Sequence, residues 1–234
     1  NLHIAASGNY NLFTTTNATY DPTLHVEDCT VDAAYNVVYD SHNTQNFKSV
    51  YFGNSIVKMT VANKPFYSTK SKGAYTQQSI RLENNVFYAE TPLQNYLINC
   101  GDRSQAFQTT RLQVEVTNNT IYNIYQPNIM IRAYVLAGLT VTKNVGYYTG
   151  VTAKNYLTGV YDTAGFTADK AEVTYNYLYT APVSDTNFWS AKHTGSYTPA
   201  NNQMGDGVEA PFSSMDAAKG YFPVDASVVK TAAG

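Results

Sequence analysis

Six short segments of this chain repeat one pattern of apolar and polar positions. They are Leu24-His25-Val26-Glu27-Asp28-Cys29, Val50-Tyr51-Phe52-Gly53-Asn54-Ser55, Ile80-Arg81-Leu82-Glu83-Asn84-Asn85, Val114-Glu115-Val116-Thr117-Asn118-Asn119, Leu139-Thr140-Val141-Thr142-Lys143-Asn144 and Ala171-Glu172-Val173-Thr174-Tyr175-Asn176. Leu2-His3-Ile4-Ala5-Ala6-Ser7 reads as a seventh copy at the start. The first and third positions are apolar in every copy, and the second and fourth are polar, aromatic or small. Such alternation is the mark of a strand with one buried face. The closing position is always Ser, Cys or Asn, at intervals of 22, 26, 30, 34, 25 and 32 residues. Those intervals are too long for hairpins and too irregular for a helical repeat.

A second apolar run follows the closing residue: Asn36-Val37-Val38-Tyr39, Tyr96-Leu97-Ile98, Ile129-Met130-Ile131 and Phe188-Trp189. Each repeat therefore supplies at least two strands, and equivalent strands stack in parallel on the next coil. The crossover preference makes the winding right-handed. The expected fold is all-β: a right-handed, single-stranded parallel β-helix of about 7 coils. Loops such as Asn63 to Gln78 and Gly150 to Lys170 are expected to absorb the variable coil length. The corner amides have a physical reason: Asn offers two donors and an acceptor, so stacked copies (Ser55, Asn85, Asn119, Asn144, Asn176) can chain hydrogen bonds along the axis. Asn also tolerates the left-handed backbone of a sharp corner. The pattern covers residues 1–200. Residues 201–234 break it with Gly205-Asp206-Gly207, Pro211 and Pro223, and are expected to cap the open end as part of the same domain.

Composition agrees and narrows the function classes. The chain carries 21 Tyr, 23 Asn and 28 Thr, which favour strands and corners, and only 14% charged residues. Fifteen basic residues balance 17 acidic ones, which argues against a nucleic-acid or anionic-membrane partner. No apolar run approaches the roughly 20 residues of a membrane span. The chain opens on Asn1-Leu2-His3-Ile4 inside an expected strand and without a leader pattern, so it reads as a portion of something longer. Cys29 and Cys100 are too few for a disulfide framework and are expected to be small buried hydrophobes.

With this register the chain resembles the pectate-lyase-like β-helix superfamily, and is similar to secreted β-helix domains of unknown function attached to surface lipoproteins of Bacteroidetes. The residues carrying the resemblance are the column Asn85, Asn119, Asn144, Asn176 and the closing stretch Pro211-Phe212-Ser213-Ser214 through Gly220-Tyr221-Phe222-Pro223-Val224-Asp225. It implies a secreted or outer-surface location, with signal and anchor outside this fragment, and a polysaccharide partner. The superfamily holds lyases, hydrolases and non-catalytic binders, so the fold leaves the activity open. A monomer is expected.

The register sorts outward side chains of the first strand into two columns. One runs His3, His25, Tyr51, Arg81, Glu115, Thr140, Glu172; its neighbour runs Ala5, Glu27, Gly53, Glu83, Thr117, Thr142, Thr174. Arg81, Glu83 and Glu115 gather at mid-face. Two carboxylates with an Arg could hold Ca²⁺ and an acidic sugar, as the lyase resemblance implies; equally, Arg81 and Glu115 could form a plain cross-strand ion pair. No cofactor is expected otherwise. The Asn-Thr-Asp, Asp-Asp and Gly-His-Gly motifs of a polygalacturonase are absent, Asp102-Arg103 reads as a loop tip, and His42 and His193 lack metal-ligand spacing. Aromatics are the stronger signal: Tyr122, Tyr125, Tyr147, Tyr148, Tyr175, Tyr177, Tyr179 and Trp189 crowd the C-terminal half, and rings stack on sugar faces. They could equally fill the core. The sugar-contacting set expected is Tyr51, Arg81, Glu83, Glu115, Tyr147, Tyr148 and Trp189. Three functions compete: a non-catalytic glycan binder, a lyase or glycosidase on uronate-rich glycan using Arg81, Glu83 and Glu115, and a structural or adhesive spacer.

Overall fold

A computed structural model describes residues 2–6, 8, 10–14, 22–33, 35–40, 47–69, 77–100, 111–126, 129–134, 136–149, 156–161, 170–181, 187–189, 197, 199–205, 211–212, 214, 216 and 222–223. The chain winds as an all-β parallel solenoid with three sheets, visited in the same order on each coil. The first sheet stacks six strands: Thr23–Glu27, Ser49–Gly53, Gln77–Glu83, Arg111–Thr117, Leu136–Thr142 and Ala171–Thr174. The second stacks eight: Leu2–Ala6, Cys29–Ala33, Ile56–Met59, Val86–Gln94, Thr120–Tyr125, Val145–Thr149, Tyr177–Ala181 and Gln203–Gly205. The third stacks seven: Phe13–Thr14, Val38–Asp40, Tyr67–Thr69, Ile98–Cys100, Ile129–Tyr134, Tyr156–Tyr161 and Asn187–Trp189. Among the described residues, six coils supply a strand to every sheet, fewer than the seven expected.

The alternating pattern works as read. Val50, Phe52, Ile80, Leu82, Val114, Val116, Leu139, Val141 and Val173 point inward and are 1% exposed or less. Phe52, Phe66 and Phe87 meet edge to face inside, with centroids 5.0 and 4.9 Å apart, a favoured aromatic geometry. Parallel strands buried on one side and stacked by coil place this core along the axis.

The corner between the first and second sheets carries the amide ladder. Asn85 Oδ1 accepts the Ser55 N–H at 3.0 Å, Asn119 Oδ1 accepts Asn85 N–H at 2.9 Å, Asn144 Oδ1 accepts Asn119 N–H at 3.0 Å, and Asn176 Oδ1 accepts Asn144 N–H at 3.1 Å. Each side-chain amide also donates to the next oxygen in the ladder, as Asn119 Nδ2 does to Asn144 Oδ1 at 3.0 Å. Each donates backward too, as Asn119 Nδ2 does to Leu82 O at 3.0 Å. Buried amides are tolerable only when so satisfied. At the N-terminal end Ser55 Oγ makes the last side-chain contact, 3.1 Å from the Cys29 N–H. Cys29 itself is half-exposed, unlike buried Cys100.

Several expectations need correction. The left-handed residue is the one before the ladder position: Asp28, Asn54, Asn84, Asn118, Lys143, Tyr175 and Asn201 have φ between 48° and 57°. The ladder Asn is thus selected for its amide, and its predecessor bears the strain. The ladder also continues to Asn202, whose Oδ1 accepts the Asn176 N–H at 2.9 Å, while Gln203–Gly205 extends the second sheet. Leu2–Ala6 is no copy of the first-sheet repeat: it pairs with Cys29–Ala33 in the second sheet, Leu2 opposite Cys29. Ser7 lies outside the described residues. Alternation alone cannot tell which of three similar faces a strand joins. The stretches read as loops, 63–78 and 150–170, contain the third-sheet strands Tyr67–Thr69 and Tyr156–Tyr161. Most of the closing stretch, with Asp102, Arg103, His42 and His193, is also outside the described residues. Its described aromatics, Phe212 and Phe222, pack against Tyr88, Tyr122 and Tyr147 on the side of the second sheet.

Candidate functional site

The first-sheet face brings four of the sequence-nominated residues together. Cross-coil pairing runs His25–Tyr51–Arg81–Glu115–Thr140–Glu172 in one column and Glu27–Gly53–Glu83–Thr117–Thr142–Thr174 in the next. His3 and Ala5, expected at the head of these columns, stand in the second sheet, where His3 Nε2 lies 3.2 Å from Asp32 Oδ2. The Tyr51 ring lies along its own strand over Gly53, where any Cβ would collide with the phenol. A side chain at position 53 would force the Tyr51 ring aside. Burial, then the charges of Glu27 and Glu83, push the Tyr51 hydroxyl above its usual range. The His25 ring sits 4.6 Å from the Tyr51 ring, and the Arg81 guanidinium 5.7 Å from it on the other side.

Arg81 is already engaged by its neighbours. Its Nη2 lies 2.7 Å from Glu83 Oε2 on the same strand, and its Nε lies 3.6 Å from Glu115 Oε2 one coil on. The two carboxylates beside the guanidinium make the cross-strand ion-pair arrangement expected of a solvated face. Among the described residues no group of three or more His, Cys, Asp or Glu side chains is placed to hold a metal ion. The described residues of this face therefore do not assemble the oxygen-rich set that the Ca²⁺ of a lyase mechanism would require.

The aromatic nominees divide differently. Tyr148 is 1% exposed and Trp189 5%, both facing the core, where Trp189 packs 4.7 Å from the Tyr197 ring. Neither presents a face to a ligand in solution. Tyr147 belongs to an outward second-sheet column, Tyr88–Tyr122–Tyr147–Tyr179, stacked at 5.2 Å on Tyr122 and 4.8 Å on Tyr179. Phe222 stacks on Tyr122 at 4.3 Å and Phe212 lies 5.9 Å from Tyr147, so the chain itself covers this strip. Burial is the main cause that raises the phenol pKa values of Tyr88 and Tyr147.

A groove lies elsewhere, where the second sheet turns into the third. It encloses about 540 Å³ and is lined by Asn11, Tyr35, Asn36, Tyr39, Asn63, Lys64, Pro65, Ser68 and Asn99. Tyr39, Ser68 and Asn99 are register partners on three successive strands of the third sheet. The other lining residues come from the corners that feed those strands, and Asn11 adds a fourth coil. With coils about 4.8 Å apart the groove runs roughly 14 Å along the axis. Internal bonds stiffen it: Asn36 Nδ2 donates to Asn11 Oδ1 at 2.7 Å, and Lys64 Nζ donates to Tyr35 Oη at 2.6 Å while lying 4.1 Å from the Tyr35 ring centre. Arg132, next in the column after Asn99, donates Nε to Asn99 Oδ1 at 2.8 Å and also brings Nη2 to it.

Sequence reasoning missed every one of these residues as site-formers. A signal existed: Asn11 and Asn36 each precede an apolar pair, Leu12-Phe13 and Val37-Val38, opening a third-sheet strand. It is weak because Phe13–Thr14 and Val38–Asp40 are too short to show alternation. No protein-family model, curated protein or solved structure matches the chain, so the site is read from its own geometry.

Proposed function

We propose that the chain is a non-catalytic polysaccharide-binding β-solenoid, working in the secreted or cell-surface setting that its resemblance to right-handed, pectate-lyase-like β-helices implies. The observation that carries the reading is the lining of the third-sheet groove. Two tyrosines offer apolar ring faces with a polar edge, and four Asn and one Ser offer both donors and acceptors. That mixture suits a sugar, whose ring faces are apolar and whose rim is hydroxylated. The groove crosses several coils, which suits an extended chain of sugars better than a compact metabolite. Among the described residues its lining includes no carboxylate, histidine or cysteine to serve as acid, base or nucleophile, so binding without turnover is the reading it supports.

Glycan-array screening followed by titration calorimetry tests the proposal. Binding to at least one oligosaccharide class, weakened about tenfold by Tyr39→Ala, is the expected result. A broad array with no ligand, or a ligand whose affinity ignores Tyr35, Tyr39 and Asn99 together, overturns it.

A further inference from the structure

The groove's hydrogen-bonding sense is set by partners that can only donate. A guanidinium has no acceptor, so the Asn99 atom that meets Arg132 Nε and Nη2 must be the amide oxygen. The Asn99 Nδ2, with its two hydrogens, is then turned to the other side of the amide. The Arg132 plane is itself held 5.0 Å from the Tyr96 ring centre, which fixes the fork. An ammonium likewise only donates, so the Tyr35 oxygen accepts from Lys64 and its own hydroxyl hydrogen is left to give. Lys64 retains two further N–H groups. Asn99, Tyr35 and Lys64 thus give this groove a run of donors, and among the described residues none of its lining is acidic.

Donors removed from water need acceptors in the ligand. A neutral sugar hydroxyl can serve, but it brings a hydrogen that must also be placed. A carboxylate or sulfate oxygen only accepts, and its charge makes each bond shorter and stronger. We infer that the groove selects an anionic sugar, seated among the donors of Lys64, Tyr35 and Asn99, and that Arg132 is the positioning residue that keeps the Asn99 amide turned as a donor. This rests on the glycan-binding reading and sharpens it to a ligand class.

The test compares matched ligands by calorimetry: uronate trisaccharides, their methyl esters, and sulfated neutral trisaccharides. The free acid or the sulfated sugar should bind about tenfold more tightly than the ester, the gain of a charge-assisted bond over a neutral one. Which of the two binds assigns the anion's source. Asn99→Asp keeps the side-chain shape and the pairing with Arg132 but replaces the donor by an oxygen, and should erase the acid-to-ester ratio; Lys64→Gln should reduce it. Arg132→Gln should lower the ratio and Arg132→Lys should restore part of it, a pattern that simple loss of stability would not produce. A ratio near one in the unaltered protein overturns the inference while leaving glycan binding standing. A ratio unmoved by Asn99→Asp and Lys64→Gln also overturns it, and a ratio unmoved by Arg132→Gln removes the positioning role. Failure to bind any trisaccharide overturns the inference together with the reading beneath it.

Discussion

The same side chain does opposite work at two corners of this solenoid. Between the first and second sheets, Asn85, Asn119, Asn144 and Asn176 are at most 1% exposed, and their amides bond to one another and to the backbone of the coil before. Between the second and third sheets, Asn11, Asn63 and Asn99 remain accessible along a groove, and Asn99 has its oxygen committed to Arg132 while its nitrogen faces away. An amide whose bonds are closed within the fold stabilises one backbone path and offers nothing to a ligand. An amide held at one end only is pre-organised for recognition, because its orientation costs nothing further on binding. Counting asparagines therefore says little about binding; what matters is which of their bonds the fold has already used.

The largest expected effect comes from reversing a ladder bond. Asn144→Asp sets a carboxylate against Val116 O, Thr142 O and Asn176 Oδ1, all acceptors now served by Asn144 Nδ2. The urea midpoint should fall by the equivalent of about 4 kcal/mol or more at neutral pH. That carboxyl's folded pKa would be raised, so the loss should ease as pH drops and the acid regains a proton to donate. A variant as stable as the parent at neutral pH would break the distinction between the corners.

Removal is gentler than reversal. Asn119→Ala leaves the Asn85 N–H without an acceptor, the Asn85 Nδ2 with Phe52 O alone, and the Leu82 and Thr117 carbonyls without that donor. Roughly 3 kcal/mol should be lost, read from chemical denaturation. The matched groove change, Asn99→Ala, should alter stability by no more than about 0.5 kcal/mol while weakening glycan binding about tenfold. Equal stability losses at positions 99 and 119 would show that the groove amides are structural as well.

Smaller effects probe the faces beside these corners. Tyr51, Tyr88 and Tyr147 all have hydroxyls raised from the usual 10.0, with burial the leading cause in each. The fold thus favours the neutral phenol, so this contribution is fully present below pH 10 and is lost as pH rises through the raised values. Alkaline unfolding followed by tyrosinate absorbance should start above pH 10 and be softened by the double change Tyr88→Phe and Tyr147→Phe. The smallest expected effect is a gain: Lys143, with φ 57° and no amide to favour that backbone, should yield about 0.5–1 kcal/mol of stability on Lys143→Gly.

How legible each part was follows from the range of the interactions behind it. The inward rows, from Val50 and Phe52 through Ile80, Leu82, Val114 and Val116, could be read because burial on one face imposes strict alternation within a single strand. The ladder from Ser55 to Asn176 could be read because each rung must carry the same chemistry to bond with the next. Leu2–Ala6 shows the limit: it has the right alternation and belongs to another sheet, since pairing partners and not local pattern decide which face a strand joins. Tyr147, Tyr148 and Trp189 show it again, because a tyrosine's composition signal is the same whether it faces solvent, the core or the chain's own Phe212 and Phe222.

By itself, then, the sequence determined a parallel stack of strands, its inward rows and the amide column that ties one coil to the next, all consequences of short-period pattern repeated along the chain. Tertiary structure alone decided that each coil has three strands, that Arg81 lies between Glu83 and Glu115, and that residues as far apart as Asn11 and Asn99 line one groove. The physical reason is that a groove across coils is built from positions one whole coil apart, with coil lengths that vary, so no fixed spacing in the sequence announces it.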